Sequence, residues 1–522
     1  MSGLEITLCI LYTLYIVKGG YYLLNIYQQN HYDVKKLLTC LKAYYLLKPH
    51  IYLYYFFLVF TTAGYFANQS LLLYLFALIF IGVTIFIRDY YIIQLKMTKR
   101  IYRLIITCLI GLGLLYWLGF YFLSWYIVLY LYIVLPFILI LASFINAPIE
   151  KQIQRYYKKK AVNKLRANSD SVKIAITGSY GKTSTKDILY QVLSSSYVTL
   201  KTPASYNTMM GISKTINTSS LKGVEVLIIE MGAFQKGEIE EMVEAVRPNI
   251  RIITEVGPQH LSTFKTIEQV AKAKFEILSY LNENDIGVFY VDNPYIQSNA
   301  LASPYTYGLE QGIYQARSIS YQDHQTRFDI YHEEKKQMSV TTSLLGRHQV
   351  INILAVYTII QALKVYHIHI SDSAFQKAIA ALTPTLHRLS YQRQGKLHIY
   401  DDSYSSNIKG FQYAIEVLKN QTGIRCIITP GIVDGGKQEI KLNQEITTYL
   451  YEDIDEICII KNKASEVIIH LLEEKNVSFQ IFSTFKEAYT YLTDKYIEQE
   501  PTNKEQVHLL IENDLPDSFL ER

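Results

Sequence analysis

The sequence predicts an α-helical membrane domain of about five passes followed by two α/β domains. Three observations carry this. Long apolar runs with almost no charge fill the first third of the chain. From Val172 onward, short β-rich runs alternate with amphipathic helical stretches. A second series of the same kind starts near Leu386. The 522 residues leave room for more than one core. Charge divides at the same place: residues 1–170 hold 17 Lys and Arg against 5 Asp and Glu, and the remainder holds 34 against 41. A basic first third and an acidic remainder fit a membrane surface joined to an enzyme, not a nucleic-acid groove.

The apolar runs are Leu4 to Ile26, Ile51 to Ala67, Leu71 to Ile87, Leu104 to Leu123 and Tyr126 to Ile145. Each approaches the roughly 20 residues a helix needs to cross the hydrocarbon core. The first is too long, and too poor in basic residues at its start, for a cleaved leader. Their connections alternate in charge. Lys35, Lys36, Lys42 and Lys48 follow the first run, and Lys96, Lys99, Arg100 and Arg103 precede the fourth. The basic stretch "EKQIQRYYKKKAVNKLR", Glu150 to Arg166, follows the fifth, while the turns at Asn68 to Ser70 and at Ser124 carry no charge. The positive-inside rule then puts the amino terminus outside and the chain beyond Ile145 in the cytoplasm. Val34 to Lys48 mixes lysines with apolar residues, as a helix along the inner interface would. Lys18, inside the first run, is read as a snorkelling side chain. Cys9, Cys40, Cys108, Cys426 and Cys458 match neither a zinc nor a disulfide spacing and are read as small apolar side chains in a reducing compartment.

Beyond Val172, "VKIAITG", "VEVLIIEMG", "IRIITEVG" and "IGVFYVD" read as buried strands ending at polar or Gly-rich turns. That alternation implies a parallel sheet with helices on both faces. "KLHIYDDS", "IRCIITPG", "EICIIKN" and "VHLLIEND" supply the second series. "KIAITGSYGKTSTKDIL" is a strand, a glycine turn and a helix start. In that context Gly178 and Gly181 let backbone N–H groups curl around phosphate oxygens. Lys182 brings a cation to the outer phosphates, and Thr183 a hydroxyl for Mg²⁺. A strict P-loop has Gly where Ile176 stands, so this is a shorter variant. An acid ending a strand beside such a turn is where a Mg²⁺ ligand belongs, because the ion bridges the outer phosphates. Glu230 holds that place.

Seven strings in order resemble the Mur ligases, ATP-dependent amide-forming enzymes of cell-wall synthesis, over roughly Val172 to the C-terminus. "GSYGKTST" resembles their short P-loop. "IIEMGAFQKGEI" resembles the strand whose glutamate, here Glu230, holds Mg²⁺. "ITEVGPQHLSTF" resembles the segment whose histidine, here His260, is also a metal ligand. "VAKAKFEIL" is similar to the helix whose lysine, here Lys274, is carbamylated in most members. "LLGRHQVINILAV" is similar to their Gly-x-His-Asn-x-x-Asn helix start, with Gln349 replacing one Asn and Asn352 kept. "TLHRLS" and "DDSYSSN" resemble the hinge pair whose Arg and Asp, here Arg388 and Asp402, reach the nucleotide.

The resemblance therefore implies a P-loop central Mur ligase domain at 172–385 and a Rossmann-like C-terminal domain at 386–522. These follow a membrane domain at 1–149 and a basic linker at 150–171. It gives catalytic roles to Lys182, Lys274, His260 and Arg388. Nucleotide contacts fall to Gly178, Ser179, Gly181, Lys182, Thr183, Ser184, Asn293, Asn352, Arg388 and Asp402. Mg²⁺ ligands are Thr183, Glu230, His260 and, if carbamylated, Lys274. ATP and Mg²⁺ are the implied cofactors, with ADP and phosphate as products. An uncarbamylated ammonium at Lys274 would repel two metal ions.

The best branch match is to ligases adding D-Ala-D-Ala to a UDP-muramoyl-tripeptide, through "DDSYSSN" and "SYNTMMG". Three departures stand against it. Soluble members carry a UDP-sugar domain of their own, whereas only residues 146–171 separate the last apolar run from the P-loop strand. "ASYNT" replaces an Asn-rich stretch, keeping Asn207 but with Ser205 and Thr208 for asparagines. "IENDLPDSF", Ile511 to Phe519, stands in place of a Lys-Gly-Ser-Arg-like loop. The expectation is a multi-pass ligase at the bacterial cell membrane with its catalytic domains in the cytoplasm. It would join an amine to the carboxylate of a lipid-linked or membrane-proximal envelope precursor. The lipid bilayer is a partner and nucleic acid is not. The alternatives are a soluble-substrate UDP-muramoyl-peptide ligase, an ATP-driven transporter or flippase, and a scaffold with a vestigial nucleotide site.

Overall fold

The computed structural model describes residues 3–30, 32–47, 94–122, 131–168, 170–203, 206–259, 261–299, 302–384, 387–403, 407–433, 439–498 and 506–513. The chain forms two compact units, Met1–Tyr156 and Tyr157–Arg522.

The first unit is helical, with helices Gly3–Gln29, Val34–Leu47 and Lys99–Phe122 and the start of Leu131–Arg166. Leu23, Tyr27, Leu37, Ile101, Leu104, Leu135 and Leu139 pack into its core. Polar side chains join the helices as well: Asn146 donates to Thr107 Oγ1 at 2.8 Å, and Arg103 pairs with Glu150 at 2.5 Å. Leu109, Ile110, Leu114, Trp117, Leu141 and Phe144 are exposed.

The expected runs at 51–67 and 71–87 lie outside the described residues. Among the described residues, three helices are long and apolar enough to cross a membrane, Lys99–Leu118, Val134–Arg166 and Arg347–Tyr366, against the five passes expected. The last of these is 78% buried and lies inside the second unit. A helix apolar on all sides is as much the mark of a domain core as of a bilayer. The basic stretch expected as a linker continues the helix as far as Arg166. Within the second unit it is tied down by Lys158 to Glu241 at 2.6 Å and by Lys164 to the Ile216 carbonyl at 2.8 Å.

The second unit holds two sheets. The strands of the first are β1 (Val172–Thr177), β2 (Thr199–Lys201), β3 (Val226–Glu230), β4 (Ile250–Ile253), β5 (Ile286–Tyr290), β6 (Thr306–Gly308), β7 (Tyr314–Gln322), β8 (Gln325–His332) and β9 (Lys335–Thr342). Their order is β2-β3-β1-β4-β5-β6-β7-β8-β9. β1, β3 and β4 are buried at every residue, which is why they read as unbroken apolar runs. The sheet is mixed, not wholly parallel as expected. It is parallel as far as β7, and β7, β8 and β9 then form an antiparallel meander. The alternating burial of β9 fits a sheet with one wet face. Helix Arg347–Leu363 packs against β5, β6 and β7 and against helix Lys182–Leu193.

The second sheet takes β10 (Ser390–Gln394), β11 (Leu397–Asp402), β12 (Ile424–Thr429), β13 (Glu456–Ile460), β14 (Gln480–Phe482) and β15 (Val507–Glu512) in the order β10-β11-β15-β12-β13-β14. Only β10 runs antiparallel. Tyr400, Ile427, Ile457 and Leu510 face one core, and Ile399, Cys426, Cys458 and Leu509 face the other. Cys426 and Cys458 are thus buried strand residues, as their apolar reading required.

Candidate active site

β1 ends at Thr177, the turn follows, and helix Lys182–Leu193 starts with Gly181 as its N-cap. Two glycines are fixed here by space as well as by dihedral. At Gly178 (φ +149°) a Cβ would lie 2.1 Å from Thr254 Oγ1, and at Gly181 (φ +78°) 2.6 Å from Asn352 Oδ1. Ser179 is locked by two hydrogen bonds with the Gly257 backbone, at 3.0 and 3.1 Å. Lys182 Nζ donates to the carbonyls of Gly178 at 2.6 Å and Ser179 at 3.0 Å, so the ammonium lies over the turn itself. Burial pushes it down to about 8.

Ser179, Gly181 and Lys182 line one wall of a cleft of about 430 Å³, and Gly178 lies at the start of the turn without lining it. Ser184, Thr254, Glu255 and Asn352 belong to the same domain's side, and Arg388, Asp402, Asn407, Lys409 and Tyr413 come from the second sheet and its helix. Of the residues singled out in the sequence, the structure thus brings Ser179, Gly181, Lys182, Thr183, Ser184, Glu230, Asn352, Arg388 and Asp402 to one cleft. Asn293 does not line it. It is buried and donates to the Val256 carbonyl at 2.8 Å. Lys274 is buried behind the cleft, held down to about 7 by burial and then by the charge of Lys182. His260 lies outside the described residues.

Several residues in and around the cleft carry no clear signal in the sequence. Lys186, one turn beyond Lys182, is fully buried and pairs with Glu230 at 3.0 Å. Its spacing from the P-loop lysine was visible; its partner on β3 was not. His348 is pushed down to about 4 by burial and by the nearby Arg388 charge, and its ring lies nearly parallel to Tyr413 across the domain junction. Lys409 pairs with Glu255 across the same junction. Beside Arg388, His387 and Leu389 both adopt positive φ, and His387 Nδ1 meets Asp401 Oδ2 at 2.8 Å.

Thr183 Oγ1 stands 3.1 Å from Glu230 Oε2. A hydroxyl and a carboxylate are hard oxygen donors and suit Mg²⁺. Among the described residues no group of three or more His, Cys, Asp or Glu could hold a metal by itself. That is the usual condition of Mg²⁺ sites completed by phosphates and water.

Residues 176–360 match the Mur ligase middle domain. The two-sheet fold and the cleft agree with that match. The chain is similar in sequence and fold to several ligases. It is 28% identical over 284 residues to the UDP-N-acetylmuramoyl-tripeptide–D-alanyl-D-alanine ligase of Bacillus subtilis, covering 54% of this chain and 60% of that one. It is 27% identical over 341 residues to the ligase of the same name from Rickettsia prowazekii, covering 63% and 74%. MurF from Thermotoga maritima, solved in complex with ADP, superposes with a TM-score of 0.59 at 24% identity, over 69% of this chain and 80% of that one. MurF from Acinetobacter baumannii gives the same TM-score at 20% identity, over 69% and 77%. At those identities the superpositions speak for the fold.

Proposed function

We propose that this protein joins an amine to a carboxylate at the expense of ATP, by way of an acyl phosphate, releasing ADP and phosphate. The observation that carries the reading is the single cleft in which the glycine turn and Lys182 of one domain face Arg388 and Asp402 of the other. A carboxylate is a poor acceptor for an amine until one oxygen becomes a leaving group. Lys182 and Arg388 would hold the outer phosphates beside the carboxylate and offset the charge that gathers there. The backbone of residues 178–181 would cradle the phosphates, and Asn352 and Asp402 would position the nucleotide. Thr183 and Glu230 would hold Mg²⁺, which supplies charge neutralisation when bound. Lys274, at about 7, is neutral often enough near neutral pH to be carbamylated. Residues 172–385 and 386–522 serve as the two catalytic domains.

For the carboxylate donor we adopt a UDP-linked muramoyl tripeptide, with D-Ala-D-Ala as the amine. The matched relatives carry that reaction in their names. The exposed apolar side chains of helices Lys99–Phe122 and Leu131–Arg166 support attachment to a bilayer by the first unit. Attachment and a diffusible substrate are compatible. The test is ADP release by the purified full chain given ATP, UDP-muramoyl tripeptide and D-Ala-D-Ala, each omitted in turn. Turnover that needs both substrates supports the proposal. Turnover only with a lipid-linked muramoyl peptide in vesicles overturns the choice of donor.

A further inference from the structure

We propose that Lys186 is a positioning residue that keeps the Glu230 carboxylate neutralised until nucleotide arrives, so that the site takes up its divalent metal with nucleotide and not alone. This rests on the nucleotide-site reading above.

Glu230 and Lys186 are 1% and 0% exposed at their side chains, and their charged atoms lie 3.0 Å apart. Thr183 Oγ1 donates to the same oxygen, Oε2, at 3.1 Å, and Asn207 Nδ2 donates to Oε1 at 3.2 Å. The carboxylate is therefore held from two separate elements, the P-loop helix and the segment before Met209. Thr202 Oγ1 fixes that strand end by accepting from the Glu230 backbone N–H at 3.1 Å.

A lysine at this point is not there for packing. The neighbouring inward positions of the helix, Ile188, Leu189, Val192 and Leu193, are apolar, as a helix against a sheet should be. An ammonium buried among them costs desolvation that only an opposite charge offsets. Its effect on a metal follows from charge. A divalent ion approaching Oε2 alone meets a carboxylate already neutralised, with the Lys186 ammonium alongside and water excluded, where repulsion is weakly screened. Lys182 adds a second cation in the lining of the same cleft. A nucleotide triphosphate reverses the balance, because its negative charges outweigh both lysines and supply further oxygen ligands.

The experiment titrates Mn²⁺ into the full chain, with free Mn²⁺ followed by electron paramagnetic resonance, in the absence and presence of ATP. Wild type should bind Mn²⁺ alone weakly and Mn²⁺ with ATP well. Lys186→Met should tighten binding of Mn²⁺ alone by about tenfold or more, with a smaller change when ATP is present. Lys186→Arg should behave as wild type, since it keeps the charge. Should Lys186→Met fail to fold, Lys186→Gln removes the charge while keeping a hydrogen-bond donor. Binding of Mn²⁺ alone that is unchanged in the neutral variants overturns the inference, as does equal tightening in Lys186→Arg. If wild type binds no ATP at all, the nucleotide reading itself is wrong.

Discussion

Asp402 and Glu512 are paired neighbours on the parallel strands β11 and β15; both are buried, and Asp402 lines the cleft. Burial and the adjacent Asp402 push Glu512 well above the ordinary carboxyl range. A carboxyl whose folded pKa is raised binds a proton that the unfolded chain releases above about 4.5. Stability therefore falls as pH rises through that point. Glu512→Gln keeps the shape without the titration. Its melting midpoint should exceed wild type at pH 8, by roughly 2–4 °C for each kcal/mol recovered. The gain should shrink toward pH 4, and a variant that melts below wild type at pH 8 would mean that the carboxyl is ionised in the fold.

Lys182→Ala should abolish ATP turnover while the sheets stay packed. The ammonium donates to carbonyls of its own turn, and Lys182 is not among the buried core residues. Arg388→Ala should act similarly, but through the opposite domain. We expect falls of about 100-fold or more in turnover for each, with unchanged circular dichroism. Turnover near wild type for Lys182→Ala would sink the P-loop assignment.

Lys274 gives a pH prediction with a defined direction. Its amine is held down to about 7, so it is mostly neutral above that pH and mostly ammonium below it. Only the neutral amine can take up CO₂. Protein stripped of bicarbonate should regain turnover when bicarbonate is returned, faster at pH 8 than at pH 6. Lys274→Arg, always cationic, should not recover at either pH. Recovery that is indifferent to pH would argue for a lysine acting without carbamylation.

Much of the second unit was legible because its signals are local. All eight strands read from the sequence are present, since buried parallel strands appear as apolar runs between turn residues. The glycine turn could be read for a related reason: Gly178 and Gly181 leave no room for a side chain. The meander β7 to β9 was not legible. Its hairpins turn on Asp323 and His324 (φ 51° and 58°) and on Glu333 (φ 54°), without the Asn-Gly or Asp-Gly pair that marks such turns. Helix Arg347–Leu363 shows the opposite limit, since its composition alone is that of a membrane span. Lys186 was missed because its meaning lies in Glu230, 44 residues away. Pairings across a sheet leave no periodic trace.

The aromatic stack between the two sheets supplies the last prediction. His324, at the β7–β8 turn, stacks on Tyr391 at 3.9 Å and lies 4.8 Å from His398, which lies 4.9 Å from His508. Tyr400 OH bridges His324 Nδ1 at 3.0 Å and His508 Nδ1 at 3.3 Å. All three histidines are held below their ordinary range, mainly by burial; neighbouring histidines add to this at His398 and His508, Arg393 adds to it at His324 and His398, and Asp323 opposes it at His324. His508 falls to about 4 against an ordinary 6.5. Between those values the unfolded chain binds a proton that the folded chain refuses, so stability rises with pH across that window and is lost on acidification. The wild-type melting midpoint should therefore drop steeply between pH 6.5 and pH 4.5. His508→Gln removes one titrating group while keeping an amide able to reach Tyr400 and the Thr422 carbonyl. It should cost about 1 kcal/mol at pH 7 from imperfect hydrogen bonds, yet lose less on acidification, so that the two melting curves converge as pH falls. Curves that stay parallel down to pH 4.5 would show that the stack does not set the acid limit of the domain junction.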